Sequence, residues 1–199
     1  MTNTPPPAHD PEAPGPSRRD LLRTIGISAG VATVAGFWID GFGAPWRRHF
    51  VEPTADGDAP KSMTPAQFDV LRAALARLVP GTGPADPGAN EVNAAGYIDA
   101  IMSMSWFNSD VGGSILSGLD RLDERAKNMF QAERFTALDA QQQDEAIRVF
   151  ETRPEGVEWL RTMISHTLEA LFGDPVHGIN PGEIGWRWAQ HTPGTPRPS

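Results

Sequence analysis

Two pairs of ionisable side chains near the C-terminus are candidates for metal binding or catalysis. His166 and Glu169 stand three positions apart in a helical stretch, so they share one face and could form half of a metal site. Asp174 and His177 flank Pro175-Val176, a sequence typical of a turn in which an aspartate caps nearby amides. A di-iron bundle needs Glu-x-x-His pairs, which the sequence does not contain. We therefore interpret both pairs as hydrogen-bonded or exposed groups and predict no metal site.

Other signals of catalysis or cofactor binding are weak. The chain of 199 residues has no cysteine, which excludes disulfides, thiolate zinc sites, iron–sulfur clusters and cysteine nucleophiles. Gly112-Gly113-Ser114 precedes an apolar helical pattern and could seat an anion, but with no strand before it the segment indicates a plain helix start. The formal net charge of −8 is not typical of a nucleic-acid-binding protein. We predict that this chain binds no cofactor and does not catalyse.

Helical patterns account for the body of the chain. Thr64-Pro65-Ala66-Gln67 is a capping box that predicts the start of a first helix, and Pro80-Gly81 predicts its end. Apolar spacing predicts three further helices near 90–104, 115–130 and 141–150. An apolar stripe predicts a fifth helix, which ends at Gly173. The stripe consists of Val157, Leu160, Ile164, Leu168 and Leu171. The sequence thus predicts an all-α fold, a small bundle of about five helices with an irregular tail rich in Trp, Gly and Pro.

Tryptophans in the C-terminal third are candidates for a partner interface. Trp159 lies off the apolar stripe of the fifth helix, and Trp186-Arg187-Trp188 lies in a tail with little core of its own. Trp and Arg dominate binding hot spots, so we favour a partner over the alternative, in which the tail folds back and the indoles cover the bundle. The predicted interface consists of Trp159, His166, Glu169, Asp174, His177, Trp186, Arg187 and Trp188.

The first sixty residues have the composition of an export leader and a linker. Residues 1–16 contain six prolines, and the uncharged stretch 24–39 is shorter than the roughly 20 apolar residues of a membrane span. Between them, a short motif resembles a twin-arginine signal for export to the periplasm; its residues are Ser17, Arg18, Arg19, Leu21 and Leu22. The alternative is a buried or amphipathic first helix with incidental arginines. We divide the chain into a tail with signal (1–43), a linker (44–62) and a helical domain (63–199), and expect membrane contact only through the signal or a complex.

Several short segments, taken in order, resemble a known family. They are Leu78-Val79-Pro80, Pro87-Gly88-Ala89, Gly96-Tyr97-Ile98-Asp99, the stretch 138–144, the stretch 166–175 and Gly185-Trp186-Arg187. With the leader, they resemble the small subunit (subunit 3, or gamma) of gluconate 2-dehydrogenase and related flavin-dependent sugar dehydrogenases. The resemblance covers residues 64–194.

This resemblance implies a non-catalytic subunit with several partners. One is a large oxidoreductase of the glucose–methanol–choline type, which binds FAD and oxidises a sugar or polyol. A cytochrome c subunit or another acceptor would take the electrons. The small subunit would escort the folded flavoprotein through the twin-arginine translocase and stabilise it. Two alternatives stay open: an envelope protein that binds a ligand between its helices, and a small exported metal enzyme that uses His166, Glu169, Asp174 and His177.

Overall fold

The computed structural model describes residues 51–193, and helices make up most of that range. Within residues 51–193 there are six α-helices: α1 (Pro65–Leu78), α2 (Ala94–Met102), α3 (Ser109–Phe130), α4 (Ala140–Glu151), α5 (Pro154–Phe172) and α6 (Ile184–Trp188). Single 3-10 turns lie at Phe135–Ala137, Pro175–His177 and Pro181–Glu183. The range 51–193 contains no strand, and none of its helices is long and apolar enough to span a membrane. The predicted all-α fold is confirmed.

Capping boxes begin two of these helices, the first of them where the sequence predicted it. At α1, the Thr64 hydroxyl accepts a hydrogen bond from the Gln67 amide at 3.2 Å, and the Gln67 side chain accepts one from the Thr64 amide at 3.1 Å. Asp139 and Gln142 form the same reciprocal pair at the start of α4. Each box satisfies two amides that lack a partner within the helix, so the chain turns into a helix at these positions.

Two helices begin where apolar spacing did not place them. α2 starts at Ala94 rather than near 90, because Asn93 adopts a left-handed conformation (φ 50°) and its side chain caps the helix. α3 starts at Ser109, after an Asn108 cap. Gly112-Gly113-Ser114 therefore lies inside α3 rather than before it, so the anion site that we considered there has no helix N-terminus.

α5 lies at the centre of the bundle and contacts each of the other five helices. Its buried face consists of Gly156, Trp159, Leu160, Met163, Thr167, Ala170, Leu171 and Phe172. Gly118 of α3 permits a close contact with this face, because a Cβ atom at that position would overlap the Trp159 ring. The bundle is thus organised around one helix that is enclosed by the others over much of its surface.

The segment 51–62, which we predicted as part of a linker, packs against the bundle. Asp99 on α2 is fully buried. Its carboxylate accepts hydrogen bonds from the Thr54 hydroxyl at 2.5 Å, the Lys61 amide at 2.8 Å, and the Ser62 amide and hydroxyl at 2.8 and 2.7 Å. Burial raises the pKa of Asp99, but these hydrogen bonds outweigh it and the pKa lies below its ordinary value. Residues 51–62 therefore belong to the folded domain, which begins before the predicted boundary at 63.

Candidate functional site

Two tryptophans of the predicted interface lie inside the chain's own core. Trp159 is 2 % exposed, and its indole N–H donates to the Ile115 carbonyl at 3.0 Å. Trp186 is also 2 % exposed, and its N–H donates to the Phe172 carbonyl at 2.6 Å. The prediction that these indoles offer free surface is wrong, because each fills an apolar site and satisfies its polar atom within the chain. The tail folds back on the bundle, as the alternative described.

The other two tail residues of the predicted interface are more accessible. Trp188 is half-buried and stacks on Phe172, with ring centroids 6.1 Å apart. Arg187 is exposed, and its guanidinium donates to the Gly182 carbonyl. Arg187 and Trp188 therefore remain available to a partner, whereas Trp159 and Trp186 do not.

His166 and Glu169 form a hydrogen-bonded cluster with a residue that the sequence did not single out. His166 Nδ1 lies 2.7 Å from Glu169 Oε2, and the Tyr97 hydroxyl donates to the same oxygen at 3.0 Å. The His166 ring packs 5.9 Å from the Phe107 ring. The His166 and Glu169 side chains are 17 % and 15 % exposed. The cluster therefore ties α2 to α5 in a largely buried place.

The Tyr97 hydroxyl acts only as a donor in this cluster. Burial, and then the charge of the Glu169 carboxylate, raise the pKa of Tyr97 well above its ordinary value. The hydroxyl therefore keeps its proton over the physiological pH range and stabilises Glu169. The cluster offers one imidazole and one carboxylate, which is fewer than the three protein ligands of an ordinary catalytic zinc site. The hydrogen bonds of the cluster hold α2 and α5 together.

Asp174 and His177 form the turn that their spacing predicted. Asp174 Oδ1 accepts from the Val176 amide at 3.0 Å and begins the 3-10 turn Pro175–His177. The His177 side chain is exposed. The backbone carbonyl of His177 accepts a hydrogen bond from the Val51 amide at 2.9 Å. The turn thus fixes the start of the described chain. Within residues 51–193, no three His, Asp or Glu side chains come together in a group that could hold a metal ion.

The apolar surface of α5 is wider than its contact with the core. The buried face is centred on Met163, yet Val157 is 42 % exposed, and Ile164 and Leu168 are half-buried. All three belong to the apolar stripe that predicted this helix; Ile164 and Leu168 pack in part against the core, whereas Val157 is exposed. We call Val157, Ile164 and Leu168 the α5 outer face; they span about 16 Å along the helix.

Two hollows border the α5 outer face. One, lined by Pro80, Pro87, Leu168 and Trp188 among others, has a volume of about 20 Å³, which is room for about one water. The other is an open groove of about 300 Å³, lined by Glu151, Val157, Leu160, Arg161, Ile164 and Ser165. Small-molecule sites enclose roughly 300–1,000 Å³ and bury most of their ligand. The first hollow is too small for an organic ligand, and the second is open to solvent.

The described residues define a small all-α domain in which the Asp99 and Glu169 carboxylates are hydrogen-bonded from within the chain. The gluconate 2-dehydrogenase subunit 3 family model matches residues 65–194, so the chain belongs to that family. The family is that of a subunit of a dehydrogenase complex. No curated protein and no solved structure matched the chain. The predicted signal residues, Ser17, Arg18, Arg19, Leu21 and Leu22, lie outside the described residues.

Proposed function

We propose that this chain is the non-catalytic small subunit of a periplasmic, FAD-dependent dehydrogenase of the glucose–methanol–choline type. FAD belongs to the partner, which oxidises a sugar or polyol and passes electrons to a cytochrome c subunit or another acceptor. The observation that carries the proposal is the family match, because it covers the helical domain from α1 to the end of α6.

The polar groups of the domain support a binding role over a catalytic one. The Asp99 carboxylate is occupied by four hydrogen bonds from residues 54–62, and Glu169 Oε2 is shared by Tyr97 and His166. Groups held in this way stabilise the fold and have little freedom to act on a substrate. They give the partner a rigid surface, which lowers the entropic cost of assembly.

The leader supports a second role, in which this chain escorts the folded flavoprotein out of the cytoplasm. Ser17-Arg18-Arg19 is followed by Leu21, Leu22 and an apolar stretch, as in a twin-arginine signal. The twin-arginine translocase recognises such a signal on one chain, so that chain can carry a bound partner to the periplasm. The escort role therefore requires both arginines and a complex that forms before export.

Replacing the arginine pair tests the escort role. In Arg18→Lys/Arg19→Lys, we expect the flavoprotein and its dehydrogenase activity to stay in the cytoplasmic fraction of the native host. A second pair, Arg47-Arg48, provides the matched control. Arg47→Lys/Arg48→Lys makes the same chemical change and should leave the periplasmic fraction at its wild-type level. Periplasmic activity in Arg18→Lys/Arg19→Lys would show that the flavoprotein does not depend on this leader.

A further inference from the structure

An exposed turn interrupts the otherwise anchored segment 51–62. Before the turn, Thr54 is 1 % exposed and its hydroxyl donates to the Asp99 carboxylate at 2.5 Å. After the turn, the Lys61 amide donates to the same carboxylate at 2.8 Å. Residues 55–59, between these anchors, are all exposed. The main chain is therefore held at both ends of a short stretch that is open to water.

Asp56-Gly57 lies in this turn, and neither residue is buried. The Asp56 side chain is 85 % exposed, and the Arg72 guanidinium that it faces at 3.7 Å is exposed as well. Gly57 has a φ of 92°, which favours glycine, and a Cβ atom at this position would meet nothing within 4 Å. In the described part of the chain, the Gly57 amide donates no hydrogen bond. The Gly57 nitrogen is therefore accessible to the side chain that precedes it.

We propose that Asp56-Gly57 is a site of isoaspartate formation. The Gly57 amide nitrogen attacks Cγ of Asp56, so that a new C–N bond forms and the bond from Cγ to the carboxyl hydroxyl breaks. The hydroxyl leaves with the amide proton as water, and a cyclic succinimide remains. Hydrolysis of the new C–N bond restores Asp56, whereas hydrolysis of the original peptide bond leaves the main chain running through Cβ and Cγ. The water released in the first step is balanced by the water consumed in the second.

The residue that follows each aspartate explains why the reaction is confined to this pair. Asp56 is the only aspartate of residues 51–193 that a glycine follows, and glycine has no side chain to obstruct the attack. A second such pair, Asp40-Gly41, lies outside the described residues. The product lengthens the main chain inside the turn that the Asp58 amide closes by donating to the Ala55 carbonyl at 3.1 Å. Isoaspartate formation therefore alters the segment that anchors Asp99.

Heavy-oxygen water detects the reaction in the folded full chain. Each opening of the succinimide places a solvent oxygen in residue 56, whereas an unreacted carboxyl keeps its own oxygens. The chain is incubated in this water at mildly acidic pH, and far-UV circular dichroism verifies that it stays folded. Trypsin digestion in ordinary water then releases peptide 49–61 for mass spectrometry. We expect fragment ions to place the label at residue 56, with an isoaspartate form of the peptide that elutes separately.

Two matched variants separate this reaction from general exchange at exposed carboxylates. Asp56→Glu keeps the charge, but its longer side chain disfavours ring closure, so the label at residue 56 should fall to background. Asp58→Glu makes the same chemical change in the same exposed stretch, at a position that Ala59 follows. The label at residue 56 in Asp58→Glu should stay at its wild-type level.

A parallel incubation in urea decides whether the folded turn permits the attack. Label at residue 56 of the folded chain, lost in Asp56→Glu and kept in Asp58→Glu, supports the proposal. Label in the unfolded chain alone would show that the folded turn holds the Gly57 nitrogen away from the carboxyl, which overturns it. Equal label at residues 56 and 58, or no label in either sample, also overturns it.

Discussion

Replacing Asp99 by asparagine tests the strongest polar anchor in the fold. Asp99 Oδ2 accepts from the Thr54 hydroxyl and the Lys61 amide, and Oδ1 accepts from the Ser62 amide and hydroxyl. In Asp99→Asn, one oxygen becomes an NH2 group. Whichever oxygen it replaces, the NH2 faces a backbone N–H, because Lys61 donates to one oxygen and Ser62 to the other. One partly buried backbone amide therefore loses its acceptor in either orientation.

The size of the effect follows from that lost hydrogen bond. A hydrogen bond to a charged group contributes about 1.5–3 kcal/mol, and a buried donor left unpaired costs a similar amount. We therefore expect Asp99→Asn to lower the free energy of unfolding by about 2–3 kcal/mol. For a domain of this size, that corresponds to a fall in melting temperature of about 5–10 °C.

Urea denaturation followed by far-UV circular dichroism measures this loss, and trypsin locates it. Cleavage after Lys61 should be faster in Asp99→Asn, because the variant loosens residues 54–62 first. Asp58→Asn is the control, since Asp58 is exposed in the same segment and its substitution should change stability by no more than about 0.5 kcal/mol. Equal stability and equal cleavage in the two variants would refute the assignment of Asp99 as an anchor.

Two further predictions concern the Asp99 carboxylate and the hydrogen bond between Tyr97 and Glu169. The folded-state pKa of Asp99 is lowered, so its contribution is present above the unfolded pKa of about 4 and is lost as the pH falls through the folded pKa. Between pH 5 and 2, wild type should therefore lose more free energy of unfolding than Asp99→Asn in urea titrations, and parallel curves would contradict this. Tyr97→Phe removes the donor to the Glu169 carboxylate and should lower the free energy of unfolding by about 1.5–3 kcal/mol in the same assay. An unchanged midpoint would mean that this hydrogen bond does not stabilise the fold.

The helices could be predicted from the sequence because their signals are local. Thr64 with Gln67, and Asp139 with Gln142, act within three residues, so each capping box can be identified without knowledge of the fold. Gly173 follows the last residue of α5, as predicted, although its φ of −65° is one that any residue adopts. The start of α2 was missed because Asn93 adopts a left-handed conformation that residue type alone does not require.

The site could be predicted less well, because its contacts join distant residues. Trp159 is buried because Gly118, 41 positions earlier, leaves space for its ring. The hydrogen bond from the Trp159 indole N–H to the Ile115 carbonyl depends on the same packing. The hydrogen bond between Thr54 and Asp99 joins residues 45 positions apart. Apolar spacing on α5 identified an apolar helix correctly, but it did not distinguish the core face from the one that includes Val157.

The most direct test of the account is the visible absorption spectrum of the tagged full chain purified from its native host. The account predicts a flavin spectrum and a co-eluting larger protein whose flavin is reduced by a sugar or polyol. A colourless chain that elutes alone, under conditions that keep weak complexes together, would contradict the claim that this chain is the small subunit of a flavin-dependent dehydrogenase.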